Sequence, residues 1–127
     1  MTLSDYLRAG AAQPFAWGGC DCCSWACAWV AARRGVDPSA RWRGRYRTAR
    51  GAALQIRRAG GDLLSVASVA MAAAGLAETR DPRPGDIGVI ETDAGLALAI
   101  RTPTGWAAKA LAGIAVAPFV CLRAWSV

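Results

Sequence analysis

Asp21-Cys22-Cys23-Ser24-Trp25-Ala26-Cys27-Ala28-Trp29-Val30-Ala31-Ala32-Arg33-Arg34-Gly35 is the stretch on which the fold turns. Asp21 is a good N-cap, because a short carboxylate can accept the orphan N–H groups of a first helical turn. Gly35 is a good stop, because glycine enters the left-handed conformation without steric cost. Between them Cys22, Trp25, Ala26 and Trp29 form one face, and Cys23, Cys27 and Val30 another. Only Ser24 and the terminal Arg33 and Arg34 interrupt the apolar surface. A helix that is apolar nearly all round belongs in the centre of a domain.

Working outward, the spacing predicts three more helices and then a sheet. Thr2 or Ser4 caps a short helix to about Ala9, ended by Gly10. Ala11 to Gly19 reads as an extended loop carrying Pro14, Phe15 and Trp17. Thr48 caps a helix to about Ala59, closed by Gly60-Gly61, and Asp62 caps one from Leu63 to about Ala74, closed by Gly75. Asp81-Pro82-Arg83-Pro84-Gly85-Asp86 is a rigid turn. After it, Ile87 to Thr92, Leu96 to Thr102, Gly105 to Lys109, Ile114 to Phe119 and Cys121 to Trp125 are short apolar runs split by turn residues. They predict four or five antiparallel strands. Helices first and strands second make an α+β domain, with N-terminal helices packed on a small C-terminal sheet.

Composition bounds the rest. The chain has 127 residues, 54% of them hydrophobic and 19% charged, which fits one folded domain over 1–127. Fifteen basic residues against nine acidic ones give a charge of +6, and all of the basic residues but Lys109 are Arg. There is no His, which removes the usual Ser/His and Cys/His catalytic pairs and every imidazole metal ligand. The start has no basic segment followed by an apolar run, so no signal peptide is expected. The apolar stretch Leu63 to Ala77 is too short and too Ala-rich for a membrane span. Five Cys, four of them crowded between positions 20 and 27, do not have the spread spacing of a disulfide framework. Reduced thiols and synthesis in the cytosol are expected.

Cys22 falls at the first helical position, where free N–H groups and the helix dipole favour an anion. Such a position can bring a thiol pKa down from about 8.5 to roughly 3.5–7.5 when other charges help. Asp21 partly opposes that with its own charge. The plain alternative is that Cys22, Cys23 and Cys27 are small core residues, since free Cys is among the most buried residue types. A rival chemistry is a zinc or iron–sulfur site from Cys20, Cys23, Cys27 and Cys121, because Cys20-x-x-Cys23 has metal-clip spacing. The expectation is nonetheless that no cofactor is bound.

Trp17-Gly18 followed by Asp21-Cys22 at the start of a buried helix resembles the NlpC-type branch of the papain-like cysteine peptidases. Pro14-Phe15-Ala16-Trp17-Gly18, Asp21-Cys22-Cys23, Gly35-Val36-Asp37-Pro38, Arg43-Gly44-Arg45-Tyr46-Arg47-Thr48, Gly60-Gly61, Gly85-Asp86-Ile87 and Ala124-Trp125 look still more like phage- and prophage-encoded relatives of that branch. The likeness spans nearly the whole chain. It implies a papain-like α+β fold, a gene among the tail-assembly genes of siphophages and gene transfer agents, and work near the tail tip. Active members of the wider superfamily cleave peptide bonds in bacterial cell-wall stem peptides, with a Cys nucleophile and a His base on the sheet. The likeness puts Cys22 at the nucleophile position, with Asp21 beside it, and the base within Gly95-Leu96-Ala97-Leu98-Ala99-Ile100, where no His stands. Position 20, often His in the closer relatives, is Cys20.

The resulting expectation is a tail-tip or baseplate structural component with a degenerate, His-less peptidase fold. It would be made in the host bacterial cytoplasm and carried in the virion tail. Its partners would be other tail-tip or hub proteins, with the bacterial cell wall as a further partner. The alternatives are an active peptidoglycan peptidase using Cys22, and a cysteine-ligated metal module of the tail tip. Asp21, Asp86, Glu91 and Asp93 could substitute as the base, but a carboxylate of pKa about 4 suits that task poorly. Arg43, Arg45, Tyr46 and Arg47, with Trp42 and Trp106, are expected at an interface, since Arg and aromatics are enriched there. The arginine run could suit nucleic acid, but a charge run alone is weak evidence, and a protein partner is favoured.

Overall fold

The computed structural model describes all residues, 1–127. Four helices precede a six-stranded antiparallel sheet: α1 Leu3–Ala12, α2 Cys22–Arg34, α3 Ala49–Ala59, α4 Leu63–Ala73, β1 Glu78–Thr79, β2 Ile87–Thr92, β3 Gly95–Thr102, β4 Gly105–Ala110, β5 Gly113–Ala117 and β6 Cys121–Trp125. The α+β arrangement read from the pattern is the one present. The strand order is β1-β6-β2-β3-β4-β5. Strands β2 to β5 form a meander of hairpins. The last strand, β6, returns to the far side of β2 and separates it from β1.

The helix caps are those the sequence carries. Thr2 and Asp5 form a capping box on α1, Asp21 and Ser24 one on α2, and Thr48 and Asp62 cap α3 and α4. Gly35 ends α2 in the left-handed region at φ 74°. One boundary differs. α1 runs through Gly10 to Ala12 and does not stop at Gly10. Gly10 serves close packing instead of termination, since a Cβ there would lie 2.5 Å from Nε1 of Trp25. The α1 end is closed by the buried Lys109 ammonium, which donates to the carbonyls of Gly10, at 2.6 Å, and Gln13. A cation on a helix C-terminus is favoured by the dipole and satisfies orphan carbonyls. The two-residue β1 was not foreseen, because Glu78-Thr79 has no apolar alternation. It exists through its pairing with Trp125 and Ala124.

α2 is the central helix. Trp25, Ala26, Cys27, Trp29 and Val30 are buried against Ile87, Val89, Leu98, Ile100 and Trp125. Trp29 also donates from Nε1 to the carbonyl of Gly85 at 2.8 Å, fixing α2 to the turn before β2. Asp86 in that turn is buried and accepts from Arg83 N at 2.8 Å and Val127 N at 3.0 Å. Trp106, expected at an interface, is instead 3% exposed in a second cluster on the other face of the sheet, with Ile90, Ala99 and Ala124. Gly88 makes room for its ring: a Cβ at Gly88 would sit 2.7 Å from it. No helix is long and apolar enough to cross a membrane.

Candidate functional site

The start of α2 is built by one carboxylate. Asp21 is 1% exposed. Its Oδ1 accepts from Ser24 N at 2.9 Å and Ser24 Oγ at 3.0 Å. Its Oδ2 accepts from Gly18 N at 2.8 Å and the Tyr46 hydroxyl at 2.6 Å. Asp21 thus joins the Trp17-Gly18 turn, the helix and the arginine segment at one point. Four bonds occupy both oxygens, and none of them leads to Cys22. Expected as a catalytic partner, Asp21 is placed as a structural tie.

Gly18 is required by the same junction. It adopts φ 85°, and any side chain there would run into the carbonyl oxygen of Tyr46. Its own carbonyl accepts from Gly44 N at 2.8 Å.

Arg43 and Tyr46 also turn inward. Arg43 donates from Nε to Asp37 Oδ2 at 2.8 Å and from Nη2 to Ser24 O at 2.8 Å and Ser39 Oγ at 3.0 Å. Burial works against the Asp37 carboxylate, yet the bonds from Arg43 and Ser39 outweigh it and hold its pKa below the ordinary value. Burial, with Asp21 adding to it, raises the Tyr46 phenol, which stays a neutral donor. These two residues are internal fastenings of the site. Arg45, Arg47 and Arg50 remain exposed, and Trp42 is half-buried.

Above the start of α2 lies a groove of about 290 Å³. Cys22 and Cys23 are on one wall with Cys27, α3 and α4 supply Ala53, Ile56 and Val66, and β3 supplies Leu96 and Leu98. The Sγ atoms of Cys22 and Cys23 are 3.8 Å apart. The Cys23 thiol shares its proton with Cys22 and lowers the Cys22 pKa, while the same contact raises that of Cys23. The pair therefore loses one proton readily and the second only with difficulty. Burial pushes Cys27 up from 9.0 to about 12. Burial also raises Cys20, which Lys109 opposes, and Cys121.

Site-resolved alkylation against pH reads these signs directly. A lowered pKa means thiolate at lower pH, so Cys22 is expected to react first, on the acid side of an ordinary thiol. Cys27 is expected to stay inert until the protein is alkaline. Cys23→Ala removes the donor and should move the Cys22 curve to higher pH; an unmoved curve would contradict the shared proton. Because Cys27 is raised on folding, its contribution to stability is present below pH 9.0 and lost as pH climbs towards about 12.

The remaining candidates separate. Cys20, Cys23, Cys27 and Cys121 do not come together, and no three His, Cys, Asp or Glu side chains gather as a metal site. Cys20 is buried towards Lys109, whereas Cys121 lies on β6 and donates to Arg123 O at 3.4 Å. The clip spacing fails because Cys20 sits in the bridged turn Ala16–Cys20 and no third ligand joins it and Cys23. Asp86 is committed to its turn, and the exposed Glu91 and Asp93 are not among the groove residues. The groove itself was not legible in the sequence. Its far wall comes from α3 and α4, whose small residues carry no individual signal.

A family model described as a domain of unknown function (DUF6950) matches residues 1–127, so the chain belongs to that family. No curated protein and no solved structure matches it.

Proposed function

We propose that this member of the DUF6950 family is a phage tail-tip or baseplate subunit with a papain-like, NlpC-type domain that has lost peptidase activity. The observation that carries the loss is the wall beside Cys22. The β3 side chains lining the groove there are Leu96 and Leu98, where the resemblance would put a base. Peptide cleavage needs a group to activate the nucleophile and an acid to protonate the leaving amine. The one carboxylate at the helix start, Asp21, is saturated by structural bonds. Exposed Arg45 and Arg47 with half-buried Trp42 offer the assembly a basic, aromatic contact surface. In this reading the protein is made in the host cytoplasm and carried into the virion with other tail-tip proteins.

The second reading, an active cell-wall peptidase, draws support from the lowered Cys22 thiol in an open groove. Its base would come from a neighbouring subunit. Digestion of purified peptidoglycan sacculi by the full chain separates the two. The expected result is no release of muropeptides above a Cys22→Ala control, together with recovery of the protein in purified tails by mass spectrometry. Cys22-dependent release would overturn the inactive reading, and absence from tails would overturn the assembly role.

A further inference from the structure

The thiol pair and the apolar groove point to a chemistry that needs no histidine. An amide cannot release its amine until an acid protonates it. A thioester has no such need, because its leaving group is a thiolate of pKa about 8.5, which departs without first taking up a proton. The acceptor has only to be an accessible thiolate beside a place for the acyl chain. Cys22 and Cys23 stand 3.8 Å apart on the wall of the groove of about 290 Å³. Ala52, Ala53 and Ile56 of α3, Val66 and Ala70 of α4, and Leu98 line the rest. The N–H of Cys22 makes no bond within the protein and remains available to a developing oxyanion, while the N–H of Cys23 lies against the Cys22 sulfur. Arg45, Arg47 and Arg50 are exposed and adjoin in sequence the groove residues Tyr46 and Ala49, so this side of the molecule carries positive charge that matches an anionic carrier.

We propose that the groove takes the acyl chain of a thioester borne on an anionic carrier, and that Cys22 accepts the acyl group by thiol exchange. The Cys22 sulfur attacks the carbonyl carbon, a new C–S bond forms, and the C–S bond to the carrier breaks. The carrier leaves as thiolate and takes up the proton released by the Cys22–Cys23 pair. One thioester and one thiol give one thioester and one thiol, with no oxidant or reductant. This goes beyond the tail-tip reading and does not depend on it. The sacculus digest reads amide cleavage, and the exchange reads acyl transfer, so either can fail alone.

The test incubates the full chain with octanoyl-coenzyme A, acetyl-coenzyme A and octanoyl-N-acetylcysteamine, followed by intact-mass and peptide mapping. A single octanoyl group on Cys22 is expected, formed on the order of tenfold or more faster than the acetyl group, because methylenes are buried in the groove. The uncharged N-acetylcysteamine thioester should react more slowly than octanoyl-coenzyme A at low salt. Ala53→Trp fills the groove from the α3 wall. It should erase the chain-length preference, and an unchanged far-UV spectrum and melting temperature show that the variant is folded. Acylation scattered over several cysteines, or no faster than in the urea-unfolded chain, would overturn the proposal. So would equal octanoyl and acetyl rates, or a preference that survives Ala53→Trp. Equal rates for the charged and uncharged carriers would overturn the anionic carrier.

Discussion

Asp21→Ala is expected to destabilise the protein by about 3–5 kcal/mol, the sum of a lost helix cap at about 1 kcal/mol and buried donors left without a partner. For a chain of this length that is a fall in melting temperature of roughly 10–20 °C. The carboxylate is almost wholly buried and holds Gly18 N, Ser24 N, Ser24 Oγ and the Tyr46 hydroxyl at once. Its removal releases the turn before α2 and the segment before α3 together. Thermal unfolding of Asp21→Ala beside Tyr46→Phe checks the assignment. Tyr46→Phe removes one of the four bonds and should cost about 1 kcal/mol. An Asp21→Ala variant that melts within a few degrees of the parent would show that the junction contributes little.

Trp125→Ala is expected to cost about 3–5 kcal/mol, as large-to-small changes at buried tryptophans do. The indole is 1% exposed, in the cluster with Trp25, Trp29, Ile87 and Ile100. Its backbone pairs with Ile87 of β2 and Glu78 of β1, so the residue also holds the strand that joins the two. Urea unfolding of dilute monomer measures the loss. An interface anchor would leave isolated-chain stability almost unchanged, and that outcome would remove Trp125 from the core. The exposed edges of the same sheet should be much less sensitive, as Val116 on β5 is 47% exposed.

Local signals were legible where the chemistry is local. Asp21, Thr48 and Asp62 cap their helices because a short oxygen-bearing side chain at that position reaches an N–H three residues on. The apolar surface of Cys22 to Arg34 foretold a central helix, because no solvent-facing helix tolerates it. Gly10 misled for a physical reason. Glycine ends helices by its conformational freedom, but here it is selected for lack of volume under Trp25. Trp42 and Trp106 look alike in sequence, and only the fold separates them, leaving one at the groove and burying the other beneath Gly88.

By itself the sequence determined the helix starts at their N-caps, the turn at Gly85-Asp86 that opens the hairpin strands, the central place of α2 and the absence of any imidazole. Those follow from residue type and short spacing. Tertiary structure alone decided that β6 lies between β1 and β2, that Arg43 and Tyr46 fasten the site inward, and that Cys20, Cys23, Cys27 and Cys121 do not gather into one site. It also placed α3 and α4 opposite Cys22 to leave a groove. Each of these depends on which distant surfaces bury one another, and burial is a property of the assembled chain that no short window of residues contains.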